Sequence, residues 1–270
     1  FAGKWHLGDE AKYWPEHQGF QTNKGGWGKG SPTGRINEFK GGFFTPYANP
    51  NLPDGPEGEY LTDRLTNECL NLIEQSKQTP FFLFYSLYAV HNPMQAPKDL
   101  IEKYKKKQAA LGVQQKFAKD EPWMKYEEGW KRRLVQDNAV YAAMMENMDQ
   151  NIGKIMDKLD ALGIGDNTLI IFTSDNGGLS TAEGSPTANT PLRSGKGWLY
   201  EGGIRVPFIV SWKSNLAQQV SNLPVTAADV YPTLLSAMQQ RPMEKYQDGV
   251  NIFSMLKQPS AYQERTIFWH

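Results

Sequence analysis

The chain has 270 residues and a mass of 30.5 kDa, enough for one large domain or two small ones with a sizeable core. Its 29 basic and 29 acidic residues cancel, which argues against a general nucleic-acid-binding protein. Hydrophobic residues make up 39% of the chain, too many for a disordered protein. The longest apolar run, residues 81–90, is too short for a membrane span, which needs ~20 residues.

The two ends of the chain suggest a fragment. It begins at Phe1 without an initiator methionine or a signal peptide, and residues 265–270 read as a strand that is cut short. We therefore expect a longer protein, and the absence of a targeting signal then says nothing about the compartment. The single cysteine, Cys69, excludes an internal disulfide and a Cys-based zinc site. Its spacing from Leu65 and Leu72 predicts a core thiol rather than a nucleophile.

Residues 1–60 are rich in Gly, Pro, Asn and aromatic side chains, which is typical of long loops with a functional role. Two interpretations of the aromatic side chains in these loops are open: they stack on sugar rings, or they pack on each other. The side chains concerned are Trp14, Phe20, Trp27, Phe43, Phe44 and Tyr47.

The rest of the chain alternates between helical and strand patterns. Thr62 can cap a helix over residues 63–75, and the apolar run 81–87 predicts a strand buried on both faces. The lysine-rich region 97–133 predicts a solvated helix face, with a polyanion-binding patch as the alternative. An apolar stripe predicts a helix over 138–162 that packs on the sheet through five side chains: Met144, Met148, Ile152, Ile155 and Leu159.

Further strands are predicted at 168–173 and 204–212, and Asp229 can cap another helix. Buried strands that alternate with helices predict an α/β fold with a central, mainly parallel mixed sheet flanked by helices. Since no linker interrupts the pattern, we expect one domain over residues 1–270.

The predicted strands lead into polar clusters, where ligand sites of α/β sheets form. One cluster contains His91, and the other contains Asp175 and Asn176 followed by two glycines. Carboxylate and amide oxygens suit hard cations such as Ca²⁺ and Mg²⁺. The alternative is a plain turn in which the Asp or Asn side chain bonds to nearby backbone.

Cationic side chains complete this candidate site. Lys4 and His6 alternate along a segment expected to be extended, which would place both on one face. Lys196 is flanked by glycines that can present it. Each residue alone fits an ordinary surface or hydrogen-bonded side chain. Together with Asp175 and Asn176 they predict an oxyanion site beside a divalent metal, suited to sulfuryl or phosphoryl transfer.

Five motifs, in order, resemble the sulfatase family, and most closely its arylsulfatase A and N-acetylgalactosamine-6-sulfatase branch. They are Gly-Lys-Trp-His-Leu-Gly at 3–8, Val-His-Asn-Pro at 90–93, Ser-Asp-Asn-Gly-Gly at 174–178, Pro-Leu-Arg-Ser-Gly-Lys-Gly at 191–197 and Asp-Val-Tyr-Pro-Thr at 229–233. The resemblance implies an alkaline-phosphatase-like sandwich, incomplete at both ends of this chain.

The resemblance also implies roles for the candidate residues. Lys4 and Lys196 would hold sulfate oxygens. His91 would give a proton to the leaving alcohol, and His6 would contact the nucleophile. The metal ligands in this chain would be Asp175 and Asn176, which make half of a Ca²⁺ shell. The full-length protein would be a sulfuric ester hydrolase, periplasmic or secreted, acting on a sulfated carbohydrate in preference to an aryl sulfate ester. We expect no nucleic-acid partner, and the sequence carries no signal for an oligomeric state.

The chain departs from the family at the nucleophile. Sulfatases make a formylglycine from the Cys or Ser of a Cys/Ser-x-Pro-x-Arg motif. Cys69 is followed by Leu-Asn-Leu, and the segment 31–35 has its proline one position too early. We therefore expect the formylglycine and two calcium-binding aspartates upstream, most of the carboxy-terminal subdomain downstream, and no activity from this chain alone.

Two alternatives to a sulfate-ester hydrolase are open. One is a non-catalytic homologue that binds sulfated glycans after losing its nucleophile. The other is a phosphodiesterase or phosphonate hydrolase of the same superfamily. An intact Cys/Ser-x-Pro-x-Arg segment upstream would favour the sulfatase, and a substituted one would favour the glycan-binding protein.

Overall fold

The structure is a computed structural model that describes residues 1–33, 41–118, 131–241, 248–257 and 264–269. Arg35 of the 31–35 segment and His270 of the last predicted strand lie outside these residues. The chain forms two compact units: unit 1 is Phe1–Gly165 with Leu179–Ala188, and unit 2 is Asp166–Gly178 with Asn189–His270. Within the described ranges, no helix is long and apolar enough to cross a membrane.

Unit 1 contains short strands and three long helices. Its elements in chain order are β1 (Ala2–Gly3), α1 (Leu61–Ser76), β2 (Tyr85–Ser86), α2 (Lys98–Leu111), β3 (Phe117–Ala118), β4 (Arg132–Arg133) and α3 (Ala139–Ala161). Strands β1 and β2 pair in parallel, and β3 pairs with β4 in antiparallel orientation. Helix α2 presents Lys105, Lys106 and Lys107 to solvent, as the solvated-face prediction requires.

The core of unit 1 lies where α3 packs against α1 and α2. It joins aromatic and aliphatic side chains from these helices and from the loops: Phe43, Tyr47, Leu52, Tyr60, Leu61, Leu65, Tyr88, Ala96, Leu100, Ala143 and Met144. A buried polar cluster also joins α1 to α3, because the side-chain amides of Asn147 and Asn151 both donate to the Asp63 carboxylate. Burial of these amides is tolerated because they are hydrogen-bonded.

Helix α3 has nearly the predicted bounds. The Asn138 side chain caps it by accepting from the Val140 and Tyr141 backbone N–H groups, and Gly163 follows it in the left-handed conformation with φ of 70°. Met144 and Leu159 are buried as predicted. Met148, Ile152 and Ile155 are only half-buried, and the described part of unit 1 packs this helix on other helices rather than on a sheet.

The prediction of a strand over 81–87 that is buried on both faces is wrong. Only Tyr85 and Ser86 pair in a strand, and Phe82 and Phe84 are 60% and 47% exposed. On one face the Tyr85 hydroxyl meets the Thr66 hydroxyl of α1 at 2.9 Å. On the other face, aromatic rings pack on each other: Phe1, Trp5, Phe20, Phe82 and Phe84. The sequence shows only a continuous apolar run. Such a run does not distinguish a strand buried on both faces from a short strand whose aromatic side chains pack on each other.

Unit 2 contains β5 (Ile170–Thr173), α4 (Glu201–Ile204), β6 (Phe208–Ser211), α5 (Val230–Ala237) and α6 (Ile252–Lys257). Strands β5 and β6 are antiparallel, with Ile170 opposite Ser211 and Thr173 opposite Phe208. The strand predicted over 204–212 covers only Phe208–Ser211, since Ile204 belongs to α4 and residues 205–207 lie in neither a helix nor a strand. The predicted α/β class is confirmed, and the strand pairing is mixed, although only one of the three described pairs is parallel.

Asp229 has a different role from the predicted helix cap. Its buried carboxylate accepts from the backbone N–H groups of Thr226 and Val250 and from the Arg265 guanidinium, with Nη1 at 2.7 Å from Oδ1. Burial alone would raise the pKa of Asp229, but these donors hold that pKa below its usual value. The motif that begins at Asp229 therefore organises the entry to α5 and the chain around Val250.

We expect Met144→Ala to lower the free energy of unfolding by about 2–5 kcal/mol, because the side chain is fully buried and its loss leaves a cavity. Urea denaturation of the chain measures this change. The matched control is Met156→Ala on the same helix, where the side chain is 40% exposed and the expected change is below about 0.5 kcal/mol. Equal losses for the two variants would contradict the assigned core face of α3.

Candidate functional site

Unit 1 positions Lys4 through a very close approach of two strands. The Ala2 N–H donates to the Phe84 carbonyl at 3.0 Å, and the Lys4 N–H donates to the Ser86 carbonyl at 2.7 Å. A Cβ on Gly3 would lie 1.8 Å from the Ser86 oxygen, and Gly3 has a φ of 104°. Only glycine fits between the strands here, and this close pairing places the half-buried Lys4 directly after the carboxyl end of β1.

His6 is held by the loop that contains Trp27 and Gly30. Its backbone N–H donates to the Trp27 carbonyl at 3.0 Å. A Cβ on Gly30 would lie 2.2 Å from Nδ1 of the exposed imidazole, so the ring packs directly on this glycine. His6 has a φ of 58°, and β1 ends at Gly3. The predicted extended alternation from Lys4 to His6 therefore does not exist, and the loop rather than a strand sets the position of His6.

His91 follows the carboxyl end of β2, which is the parallel partner of β1. Its Nδ1 lies 2.9 Å from the Asn92 carbonyl oxygen, which also accepts from the Ser31 hydroxyl at 3.1 Å. Since a carbonyl oxygen only accepts hydrogen bonds, Nδ1 carries the proton and Nε2 is the nitrogen for proton exchange with another group. Unit 1 thus places Lys4, His6 and His91 on the segments that leave one end of the β1–β2 pair.

Unit 2 assembles the other candidate residues in one loop cluster. Asp175 is exposed and Asn176 half-buried after strand β5, and the Asn176 Nδ2 donates to the Gly177 carbonyl at 2.8 Å. The Lys196 N–H donates to the Gly178 carbonyl at 3.1 Å, which brings its loop beside the Asp-Asn pair. The Asn189 side-chain amide donates to the Gly178 and Ser194 carbonyls and so holds the two loops together.

Glycines allow this contact between loops in unit 2. The Gly177 N–H donates to the Gly203 carbonyl at 2.8 Å, and a Cβ on Gly177 would lie 1.8 Å from the Gly202 oxygen. Glu201 and Arg205 pair at 3.3 Å at the ends of α4. Gly202 and Gly203 before β6 therefore have a structural role, because the loop after β5 packs directly on their backbone.

The residues present fit part of a hard-cation site. Asp175 supplies carboxylate oxygens and Asn176 an amide oxygen, both of which suit Ca²⁺. Across the described residues, no group of three or more His, Cys, Asp or Glu side chains is placed to hold a metal ion.

Three residues that organise the site were assigned no role in it from the sequence. Gly30 and Ser31 of unit 1 contact His6 and the Asn92 carbonyl, and Asn189 of unit 2 joins the Asp175 and Lys196 loops. All three lie in loops without a period or motif of their own. Cys69, in contrast, matches the sequence prediction, because burial raises its pKa to about 12 and suppresses the thiolate.

Comparison with known proteins decides the family. The Sulfatase family model matches residues 1–240. The chain belongs to the sulfatase family. A Sulfatase from Formosa agariphila is 34% identical over 244 residues, which cover 83% of this chain and 39% of that protein. The N-acetylgalactosamine-6-sulfatase of Mus musculus is 29% identical over 293 residues, covering 100% of this chain and 48% of that protein. This sulfatase chain therefore spans about half the length of the curated relatives it matches, or less.

Solved structures confirm the alkaline-phosphatase-like sandwich. Ps i-CgsB is 28% identical with a TM-score of 0.69, and the match covers 94% of this chain and 54% of that one. The same protein was solved in complex with k-i-k-neocarrahexaose, with 26% identity, a TM-score of 0.66, and coverage of 94% and 53%. The convergence of the six candidate residues on one cleft stays a prediction.

We expect Gly30→Ala to displace the His6 imidazole without unfolding unit 1, because the new methyl group meets the movable end of a side chain. NMR spectra of the histidine rings would show shifted His6 signals and unchanged signals from His17. The matched control is Gly153→Ala, where no heavy atom lies within 4 Å of the added Cβ. Unchanged His6 signals in Gly30→Ala would contradict the close packing of this ring.

Proposed function

We propose that this chain is part of the catalytic domain of a sulfuric ester hydrolase that acts on a sulfated carbohydrate. The observation that carries the proposal is the placement of Lys4, His6 and His91 at one end of the β1–β2 pair, in a chain that belongs to the sulfatase family. Two histidines and a lysine on adjacent loops suit the binding and protonation of an anionic ester.

In this proposal the lysines bind the sulfate group. The Lys4 N–H bonds to the Ser86 carbonyl and the Lys196 N–H to the Gly178 carbonyl, so backbone hydrogen bonds fix the main chain from which each lysine side chain extends. Fixed cations stabilise the negative charge on the sulfuryl oxygens better than mobile ones, because they need no reorganisation during the reaction. His6, whose ring packs on Gly30, would contact the nucleophile.

His91 would protonate the leaving alcohol. Its Nδ1 bonds to the Asn92 carbonyl, which orients the ring and assigns proton transfer to Nε2. As the acid, His91 would be an imidazolium with one proton on Nδ1 and one on Nε2. When the S–O bond to the alcohol breaks, the alkoxide oxygen takes the Nε2 proton and leaves as the neutral alcohol, and the neutral imidazole keeps its proton on Nδ1. General acid catalysis of this kind contributes about 10²–10⁴-fold to the rate, and most for a poor leaving group.

Asp175 and Asn176 would supply two ligands of a Ca²⁺ ion. When bound, Ca²⁺ would polarise the sulfate, and the hydrated formylglycine implied by the family resemblance would supply the attacking oxygen. Since Cys69 is buried and outside a Cys/Ser-x-Pro-x-Arg motif, we assign the formylglycine to another part of the whole protein. The remaining metal ligands belong there as well.

Two relatives support a carbohydrate substrate. One is an N-acetylgalactosamine-6-sulfatase, and the other binds k-i-k-neocarrahexaose in its crystal structure. We therefore favour a sulfated carbohydrate over a small aryl sulfate ester. Following the family resemblance, we expect the whole protein in the periplasm or outside the cell.

We expect His91→Ala in the whole enzyme to lower kcat by about 10²–10⁴-fold for a sugar sulfate and by much less for a nitrophenyl sulfate. The reason is that nitrophenolate leaves without protonation, whereas a sugar alkoxide does not. The control is His17→Ala, an exposed histidine in the turn Pro15–His17. Equal losses on both esters would show that His91 does not protonate the leaving group.

The isolated chain tests the assignment of the nucleophile. We expect no turnover of sulfate esters and no tight Ca²⁺ binding by residues 1–270 alone, because Asp175 and Asn176 supply only two side chains whereas Ca²⁺ typically takes 6–8 oxygens. In the whole enzyme, Asp175→Ala should abolish most of the activity. Calorimetry with CaCl₂ and an aryl sulfate assay measure these effects. Micromolar affinity or repeated turnover by the isolated chain would place a metal shell and a nucleophile within these residues.

A further inference from the structure

The structure places five of the six loop aromatics for which sugar stacking and mutual packing were both open. Phe43 and Tyr47 are buried in the core of unit 1. Phe44 packs on Tyr60 with 5.1 Å between ring centroids, and Phe20 packs in the cluster around Phe1. Trp27 differs from these, because its half-buried ring lines an open cavity.

This cavity has a volume of about 520 Å³ and lies within unit 1. Its lining residues are Trp27, Ala48, Asn49, Pro50, Leu52, Pro53 and Asp54. The volume falls in the range of ~300–1,000 Å³ that is usual for ligand pockets. An indole and prolines provide apolar faces, and an amide and a carboxylate provide hydrogen-bonding groups. This combination suits a sugar ring, which has an apolar face and a rim of hydroxyl groups.

The cavity walls are fixed before any ligand binds. The Tyr88 hydroxyl donates to the Gly25 carbonyl at 3.3 Å, and burial raises the pKa of Tyr88. The Asn49 Nδ2 also donates to the Gly25 carbonyl at 2.9 Å. Asp54 Oδ1 accepts from the Tyr47 N–H at 2.6 Å, while Oδ2 has no hydrogen bond to any described residue. A preorganised wall loses little entropy when a ligand binds.

The cavity is linked directly to the candidate catalytic residues. The carbonyl of Trp27 accepts the backbone N–H of His6 at 3.0 Å, so the residue that lines the cavity also fixes His6. The cavity and His6 therefore share one loop. A ligand that reaches from His6 along this loop would be longer than one sulfated sugar.

We propose that this cavity is a subsite for a second, unsulfated sugar ring of an oligosaccharide substrate. The ring stacks on Trp27 and donates a hydroxyl hydrogen bond to Asp54. Among the described residues that line the cavity, Asp54 alone carries a charge, and its negative charge disfavours a sulfate group here. This inference rests on the proposed sulfatase function and adds the requirement for a neutral neighbouring sugar.

The test compares two substrates of the whole enzyme: a galactan tetrasaccharide with one sulfate ester, and nitrophenyl sulfate, which has no second sugar. We expect Trp27→Ala to lower the ratio of kcat/KM for the tetrasaccharide to kcat/KM for nitrophenyl sulfate by about tenfold, mostly through KM. Trp27→Phe keeps an aromatic face and should retain most of the ratio. An equal loss on both substrates would mean that Trp27 acts through His6, and an unchanged ratio would mean that no ring stacks on it; either result overturns the subsite.

A second variant avoids any effect of the tryptophan on folding. Asp54→Asn keeps the oxygen that accepts from Tyr47 and replaces the other with an amide, so the same ratio should fall by a factor of about 3–10. Asp157→Asn, at an exposed position on α3, is the matched control and should leave the ratio unchanged. No fall in the ratio for Asp54→Asn would overturn the role of its carboxylate in the subsite.

Calorimetry with the desulfated tetrasaccharide separates this inference from the proposed function. If the wild-type protein binds this sugar and both Trp27→Ala and Asp54→Asn bind it more weakly, the subsite is supported, even if neither sulfate ester is hydrolysed. Hydrolysis without binding of the desulfated sugar supports the proposed function and overturns the subsite.

Discussion

The close pairing of β1 with β2 is the constraint on which the placement of the candidate residues of unit 1 depends. The Ser86 carbonyl occupies the space that a side chain at position 3 would need, so the two strands reach hydrogen-bonding distance only with glycine there. This contact aligns the ends of both strands. Lys4 leaves one end directly, and the chain after Ser86 leads to His91. An isolated parallel pair of two residues has little stability, so the packing of α1 against Tyr85 supports it.

The same principle operates independently in unit 2. Gly177 lies against the backbone of Gly202, and this contact places the loop after β5 beside α4. Hydrogen bonds from Lys196 and Asn189 to the Gly178 carbonyl extend the contact. In each unit, a close backbone approach that glycine permits positions the polar candidate residues. The glycines in the motifs are steric requirements, and the polar residues beside them carry the chemistry.

Helix α3 illustrates how far periodicity predicts a fold. Its bounds, its Asn138 cap and its left-handed end at Gly163 follow from local rules that need only a few neighbouring residues. The packing surface of α3 does not follow from such local rules. Asn147 and Asn151 are buried because they hydrogen-bond to Asp63, which lies 84 residues before Asn147 and 88 residues before Asn151. A polar residue becomes a core residue only when a distant partner satisfies it.

The sequence by itself determined the α/β class, the family, the core position of Cys69 and the identity of the six candidate residues, because local periodicity, glycine placement and motif order are encoded within short segments. Only the tertiary structure decided that His6 is positioned by the Trp27 loop and that Phe82 and Phe84 share an aromatic face. It also distinguished Trp27 from four other loop aromatics, Phe20, Phe43, Phe44 and Tyr47. These features depend on residues that are far apart in the chain. The identity of an apolar or aromatic residue does not show which surface its side chain packs against.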